Sequence, residues 1–309
     1  MKITEKNLAR ERVIDAIREF FKARGFLEVQ TPILVPIPSC EANLEPFKTQ
    51  LITAGGIKND AYLIMSPEYS LKKLLARGLG NIFEITRVFR NREEVSRLHN
   101  PEFTMLEWYR VESDYKEIMK DFEELFIKII GGEKLVYQGE EYDLKLPWPR
   151  ISFTEAFAKY GGRKIEEIKD EDFYQVFFNE VEPKLRASHR PAIIYDYPAA
   201  QAALARTCPE DPRFAERWEV FIAGIELGNC FSELTDPVEQ RKRFEIEIAL
   251  RQAQGKTVYP MDEELLAVLD KMPECAGIAV GVDRLVMLAA DAENISETLF
   301  FPAGELFGN

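Results

Sequence analysis

Residues 81–110 constrain what this chain can fold into more than any other stretch. Asn81-Ile-Phe-Glu-Ile-Thr-Arg-Val-Phe-Arg90 and Pro101-Glu-Phe-Thr-Met-Leu-Glu-Trp-Tyr-Arg110 are rich in aromatic and β-branched residues, and the block between them is charged. Such blocks form strands separated by a loop, so the stretch is predicted to be an antiparallel hairpin. Side chains alternate along a strand, which puts Glu84, Thr86, Val88 and Arg90 on one face and, on the second strand, Phe103, Met105, Glu107 and Tyr109 on one face. One face therefore collects a cation, an aromatic ring, a carboxylate and a phenol. Beside it runs a loop whose Arg92, Arg97 and His99 offer donors to an anion. A merely solvated sheet face would carry charges but would not explain that alternation.

With 309 residues, 46% of them hydrophobic, the chain can bury a large core and fill one big or two ordinary domains. It contains no run of about 18 apolar residues, and Met1-Lys-Ile-Thr-Glu-Lys has no apolar signal core, which predicts a soluble cytoplasmic protein with no membrane partner. Cys40, Cys208, Cys230 and Cys275 are far apart and only two histidines are present, so free buried thiols are expected rather than disulfides or zinc. The net charge of -13 opposes general affinity for nucleic acid. Lys72, Lys73, Arg77, Arg87, Arg90, Arg92 and Arg97 nevertheless form a local basic cluster in the sequence, suited to a small phosphorylated ligand.

From Glu5 to Arg24 the apolar residues recur at helical spacing, Gly25 supplies a stop, and Phe26-Leu-Glu-Val-Gln30 reads as a strand ending at Thr31-Pro32. Residues 33–60 read as loops with a short β excursion. Ser66-Pro67 has the form of an N-cap followed by proline at the first helical position, opening a helix through Arg77 that Gly78 ends. Glu68 in its first turn suits the helix dipole. Ser113 to Ile130 is an amphipathic helix, and about 131–190 reads as an insertion: a hairpin from Lys134 to Leu146, then helices. Ala192 to Pro198 is a buried strand. Glu219 to Glu226 is a tight hairpin turning at Ala223-Gly224, which pairs Phe221 with Glu226 and puts Glu219 and Glu226 on one face. Like charges side by side are costly without a cation, and Mg2+ takes one or two carboxylates plus phosphate oxygens.

His99-Asn-Pro-Glu-Phe-Thr-Met-Leu-Glu-Trp-Tyr109 resembles motif 2 of the class II aminoacyl-tRNA synthetases, in the form of the lysyl-tRNA synthetases and their short paralogues. Those paralogues attach lysine or β-lysine to a lysine of translation elongation factor P. The helix, Gly25, strand and Pro32 resemble motif 1, through which the family dimerises. Ala276-Gly-Ile-Ala-Val-Gly-Val-Asp-Arg-Leu-Val-Met287 resembles motif 3, a glycine-containing strand running into a helix that carries Arg284. The resemblance covers nearly the whole chain. It implies an α+β fold, a class II synthetase-like antiparallel sheet flanked by helices, as a single catalytic domain over 1–309. Motif 1 begins close to Met1, so no anticodon-binding domain, and no stable tRNA binding, is expected.

The same resemblance implies the chemistry: ATP- and magnesium-dependent activation of an amino acid, in a homodimer. Arg90 would bridge the carboxylate and α-phosphate, with His99, Asn100 and Arg284 also serving ATP and Phe103 stacking on adenine. The loop from Arg90 to His99 is one residue longer than usual, so either Glu93 or Glu94 faces adenine. Glu219 and Glu226 would hold magnesium. Ser66-Pro-Glu-Tyr69 is close to the ligase form, with Glu68 facing the substrate's amino group near the carboxylate. Glu107, Tyr109 and Glu233 would surround a distal ammonium, Asn229 would also contact the substrate, and a substrate lacking that amine would leave buried carboxylates unpaired. Plain alternation sets Asn229 and Glu233 on the face opposite Glu226, so a bulge near Gly228 is required. In β-lysine ligases alanine often stands where this chain has Gly228, so extra room beside the substrate, and closer competition from α-lysine, is expected.

Overall fold

Thirteen strands organise the described residues, 3–165 and 173–308, of the computed structural model. Eight of them build one sheet: β1 (Leu27–Glu28), β5 (Ile82–Phe89), β6 (Glu102–Val111), β9 (Arg150–Ser152), β10 (Ala192–Pro198), β11 (Phe214–Ile222), β12 (Ile225–Ser232) and β13 (Cys275–Gly281). Their spatial order is β1-β5-β6-β13-β12-β11-β10-β9. The six inner strands pair antiparallel, whereas β1 joins β5 and β9 joins β10 in parallel. The expected antiparallel sheet is thus corrected at both edges, because β1 and β9 enter after long connections rather than through hairpins.

The rest of the β structure is small. β2 (Leu34–Val35), β3 (Lys48–Ile52) and β4 (Lys58–Leu63) make a three-stranded sheet within the stretch expected to hold only a short excursion. β7 (Lys134–Tyr137) and β8 (Glu140–Asp143) form the hairpin at the start of the insertion. That hairpin is not set apart from the rest, since Leu135, Tyr137 and Tyr142 are buried in the main apolar core. Residues 166–172, where part of the expected charged helices falls, lie outside the described residues.

Two layers of helix enclose the main sheet. On one face α1 (Ile3–Lys22), α3 (Tyr115–Ile130) and the helix Val282–Ala289 bury Ile17, Phe21, Phe122 and Leu285 against Trp108, Trp218, Ile278 and Val280. The amphipathic pattern of α3 predicts this directly, and an Asp114/Glu117 capping box and left-handed Gly131 define its ends. The opposite face carries Tyr109, Leu71, Leu75 and Phe244, packed under α2 (Glu68–Leu75) and the helix Pro237–Ala253. This second face is only partly covered, and what remains open is the cleft described next.

Candidate active site

The β5–β6 hairpin supplies the floor. Its register pairs Glu84 with Glu107, Thr86 with Met105 and Val88 with Phe103, so the alternation read from the sequence holds residue by residue. Glu84 is buried and accepts from both the backbone N–H and the hydroxyl of Thr31, which ties the segment before Pro32 to the hairpin. The loop that follows is anchored at both ends, with Arg90 N–H donating to Pro101 O at 2.9 Å and Asn91 N–H to Glu45 O at 2.7 Å. Asn100 lines the cleft, but its amide donates to Glu102 O at 2.6 Å and accepts from Ala303 N–H at 2.9 Å. Its side chain therefore closes the loop onto the C-terminal segment.

Above this floor opens a cleft of about 630 Å³ whose wall includes Arg90, Glu93, His99, Phe103, Arg217, Glu219, Glu226, Asn229 and Arg284. Glu93 belongs to the wall and Glu94 does not. The Arg90 guanidinium lies 5.2 Å from the Phe103 ring centroid and 3.6 Å from Glu93. Arg284 reaches the cleft from the first turn of its helix, donating to Glu226 O at 2.7 Å and to His99 Nε2 at 3.0 Å. An Nε2 that accepts leaves the proton on Nδ1, which faces Ser96 Oγ at 3.0 Å. Burial and the Arg284 charge lower the His99 pKa, so at neutral pH it works as a neutral hydrogen-bonding ring. Three guanidiniums around an aromatic face suit a nucleotide phosphate chain.

The β11–β12 hairpin contributes the acids. Ile222 pairs with Ile225 and Phe221 with Glu226, as expected, and then the register shifts so that Val220 pairs with Gly228 and Glu219 with Asn229. Leu227 is thus the extra residue of a β-bulge, and it brings Asn229 onto the face of Glu219 and Glu226. Glu219 accepts from Tyr197 O–H at 2.7 Å and from Arg217 at 2.5 Å, while Asn229 Oδ1 accepts from Arg217 Nε at 2.9 Å. Burial raises the Glu219 pKa, Arg217 opposes that, and Glu226 adds to it. Among the described residues no cluster of three or more metal-type ligands occurs. Two neighbouring carboxylates in a phosphate-sized cleft still fit magnesium, which takes few protein ligands and completes its shell from phosphates and water.

Next to the cleft lies a second, largely buried group of polar residues. The Ser66 hydroxyl donates to Glu107 Oε1 at 2.6 Å, and Tyr109 O–H donates to Glu107 Oε2 at 3.1 Å. Glu68 N–H donates to Ser66 Oγ at 3.0 Å, so Ser66, one residue ahead of the N-cap Pro67, takes the first N–H of α2 while touching the carboxylate. Lys72, four residues along α2, places Nζ 2.6 Å from both Glu68 Oε1 and Glu233 Oε2. Glu107, Tyr109, Glu233 and Lys72 are all buried. Burial raises Glu107 well above the usual carboxyl range, with Glu68 adding to it; it pushes Glu233 up to about 8 against the pull of Lys72. Gly277 makes the packing possible, since a Cβ there would sit 2.4 Å from Tyr109 Cε1 and 2.7 Å from Glu233 Oε1.

Two expectations change. The basic cluster is not a patch: Lys72 pairs with Glu233, Lys73 with Asp262 and Arg87 with Glu102, each acid arriving from elsewhere in the chain. Of that run Arg90 alone lines the cleft. Gly228 borders the cleft, but a Cβ on it would point the other way, 3.0 Å from Ile278 Cδ1 and 3.2 Å from Val280 Cγ2 in the core. The absent methyl therefore does not enlarge the pocket. The sequence reading also passed over Arg217, Glu41 and Glu247, which line the cleft. Arg217 could have been found by alternation, standing two residues before Glu219; Glu41 and Glu247 lie in a loop and on a helix, with no pattern pointing at the site.

This arrangement, an antiparallel core sheet carrying an arginine-lined cleft beside a buried acidic pocket, agrees with the family comparison. Residues 2–305 match the family model described as tRNA synthetases class II (D, K and N), and the chain belongs to that family. Within it, the chain is similar to proteins named elongation factor P–(R)-β-lysine ligase. That of Pectobacterium atrosepticum is 43% identical over 307 residues, 95% of this chain and 94% of the relative. That of Pectobacterium carotovorum is 44% identical over 307 residues with the same coverage, and that of Yersinia enterocolitica 42% identical over 309 residues, 96% and 94% of the two chains.

Proposed function

We propose that this chain is an ATP-dependent, AMP-forming ligase that activates lysine or β-lysine as its adenylate and joins it to a lysine side chain of translation elongation factor P. The observation that carries the reading is the trio of the partly buried Glu68 with the buried Glu107 and Glu233 beside an arginine-lined cleft. It occurs in a chain 43% identical over 95% of its length to a protein named for this reaction. The reading takes residues 1–309 as one catalytic domain. It also takes the protein as a cytoplasmic homodimer built through α1 and β1, supported by the exposed Leu27, Ile33 and Leu34.

In the first half-reaction a carboxylate oxygen bonds to the α-phosphorus, the bond to the β-bridging oxygen breaks, and pyrophosphate leaves. The protein's task is to hold mutually repelling anions in line and to offset the charge that builds up. Arg90 bridges the carboxylate and α-phosphate, Arg284 and His99 face the outer phosphates, and Phe103 stacks on adenine. Magnesium, which Glu219 and Glu226 would hold, neutralises phosphate charge when bound. Ser66 and Tyr109 orient Glu107 while the carboxylates receive the substrate's ammonium groups. In the second half-reaction a neutral lysine amine attacks the carbonyl, a C–N bond forms and AMP departs.

The rival reading, esterification of tRNA, requires docking along a phosphate backbone, which a net charge of -13 opposes. Intact-mass measurement of elongation factor P after incubation with enzyme, ATP and lysine or β-lysine separates the two, run beside a tRNA-charging assay. A mass gain on the factor, faster as pH rises toward the acceptor's pKa, is the expected result. Charged tRNA with an unmodified factor would restore the synthetase.

A further inference from the structure

We propose that Lys72 is a specificity-determining residue: it is a built-in counter-ion that cancels one of three clustered carboxylates, leaving a deficit that a substrate with two ammonium groups fills. The inference rests on the reading of the preceding subsection and goes beyond it. A chain lysine, buried and held away from the cleft wall, is assigned a part in choosing the substrate.

The geometry is specific. Lys72 follows the buried Leu71 on α2, its side chain is 0% exposed, and its Nζ lies 2.6 Å from a carboxylate oxygen of Glu68 and 2.6 Å from one of Glu233. The second oxygen of Glu233, Oε1, is buried and takes no hydrogen bond. Glu107 faces the same space from β6, but its partners, Ser66 and Tyr109, are hydroxyls and bring no charge. From β12 the Phe231 ring lies 5.4 Å from Nζ. Cys230, on the helix side of the sheet, and Cys275 feel the Glu233 charge, with thiols that burial pushes up and keeps neutral, as it does the Tyr109 phenol. Glu41 feels Glu68 from the cleft side, where Arg90 faces it.

Three carboxylates against one ammonium leave two negative charges to be balanced. A doubly cationic amino acid balances them with its carboxylate directed at Arg90; an amino acid with one ammonium leaves one carboxylate uncompensated. Without Lys72 the deficit would be three, and the free pocket would hold an extra proton between Glu68 and Glu233. That proton would have to leave before the substrate's ammonium could take its place.

The test is calorimetric titration of lysine, with norleucine as the single-ammonium probe, at neutral pH in two buffers of different ionisation enthalpy. The proteins are the wild type, Lys72→Met and the double variant Lys72→Met/Glu233→Gln. Lysine should bind Lys72→Met on the order of 100-fold more weakly, the scale of an uncompensated buried charge. It should also release about one more proton than from the wild type. The double variant, whose two changes remove opposite charges together, should recover about tenfold over Lys72→Met with the extra proton gone. A merely structural lysine would lower affinity with no change in proton count. An unchanged proton count in Lys72→Met, or an excess that persists in the double variant, overturns the proposal. If Lys72→Met does not fold, the double variant decides alone, and extra proton release from it overturns the idea. A wild type that binds norleucine as well as lysine overturns the functional reading as well, whereas normal wild-type selectivity with a proton-neutral Lys72→Met overturns this inference only.

Discussion

Ser66 stands 2.6 Å from Glu107 and joins two jobs that are usually separate, accepting the first N–H of α2 on its oxygen while donating its proton to a buried carboxylate. Alanine at 66 would remove a donor that favours the ionised form of Glu107, in a site where burial already pushes that carboxyl up. Ser66→Ala should raise KM for lysine in the pyrophosphate-exchange assay by about tenfold, the scale of one hydrogen bond to a charged group, with kcat little changed. A fall in kcat at constant KM would contradict the role given to this hydroxyl.

The acids also set how stability responds to pH. Glu107 and Glu233 have folded-state pKa values above the ordinary 4.5, Glu233 at about 8. A carboxyl raised on folding binds its proton more tightly in the folded chain, so its contribution is complete below 4.5 and is lost as pH rises through about 8. The melting temperature of the free protein should therefore fall between about pH 5 and pH 8, and added lysine should restore more of it at the upper end. Glu233→Gln should flatten the slope. A melting temperature that climbs across this range would show that Glu233 is not raised.

Gly277 is a position where any side chain enters the acidic pocket. Its alanine variant would push a methyl against the Tyr109 ring and Glu233 from the strand backbone, where neither partner has room to retreat. Gly277→Ala should lower lysine-dependent exchange on the order of 100-fold while nucleotide binding persists, since overpacking in a buried site displaces what it touches. Equal loss of ATP binding would mean that the cleft and the pocket are not separable.

Gly228 works in the opposite direction. A methyl there meets Ile278 and Val280 in the core, so an effect on the choice between α- and β-lysine must come from moving β12 with its Asn229. Gly228→Ala is expected to change the ratio of the two kcat/KM values, and Gly228→Ala/Ile278→Val, which removes the Cδ1 in contact, to return it toward the wild type. If the second substitution leaves the ratio where the first put it, the methyl acts inside the pocket after all.

How much of this was legible follows from what each inference needed. Strand alternation is local, so the face of Phe103, Met105, Glu107 and Tyr109 could be read from ten residues. The hairpin at Ala223-Gly224 was equally local, and the requirement that Asn229 share a face with Glu226 was enough to demand a bulge. Ion pairing is not local. Lys72 looks like one more cation in a basic run until β12 brings Glu233 to it, and no spacing in the sequence announces that meeting. The parallel edge strands were missed for the same reason, since β9 reaches β10 only after a long excursion.

The bulge at Leu227 makes the site sensitive to parity. A strand presents every second residue, and the single extra one separates Glu226, which faces the cleft, from Asn229, which must face it too. Straightening the strand with every residue kept would rotate Asn229 and Glu233 into the helical layer behind the sheet and bring Gly228 and Cys230 forward, without altering one chemical group in the chain. Deleting Leu227 would remove the bulge and keep the phase, since Asn229 would then stand two residues from Glu226. In this protein the frame in which β12 is counted, odd or even, is as much a part of the pocket as the carboxylates it displays.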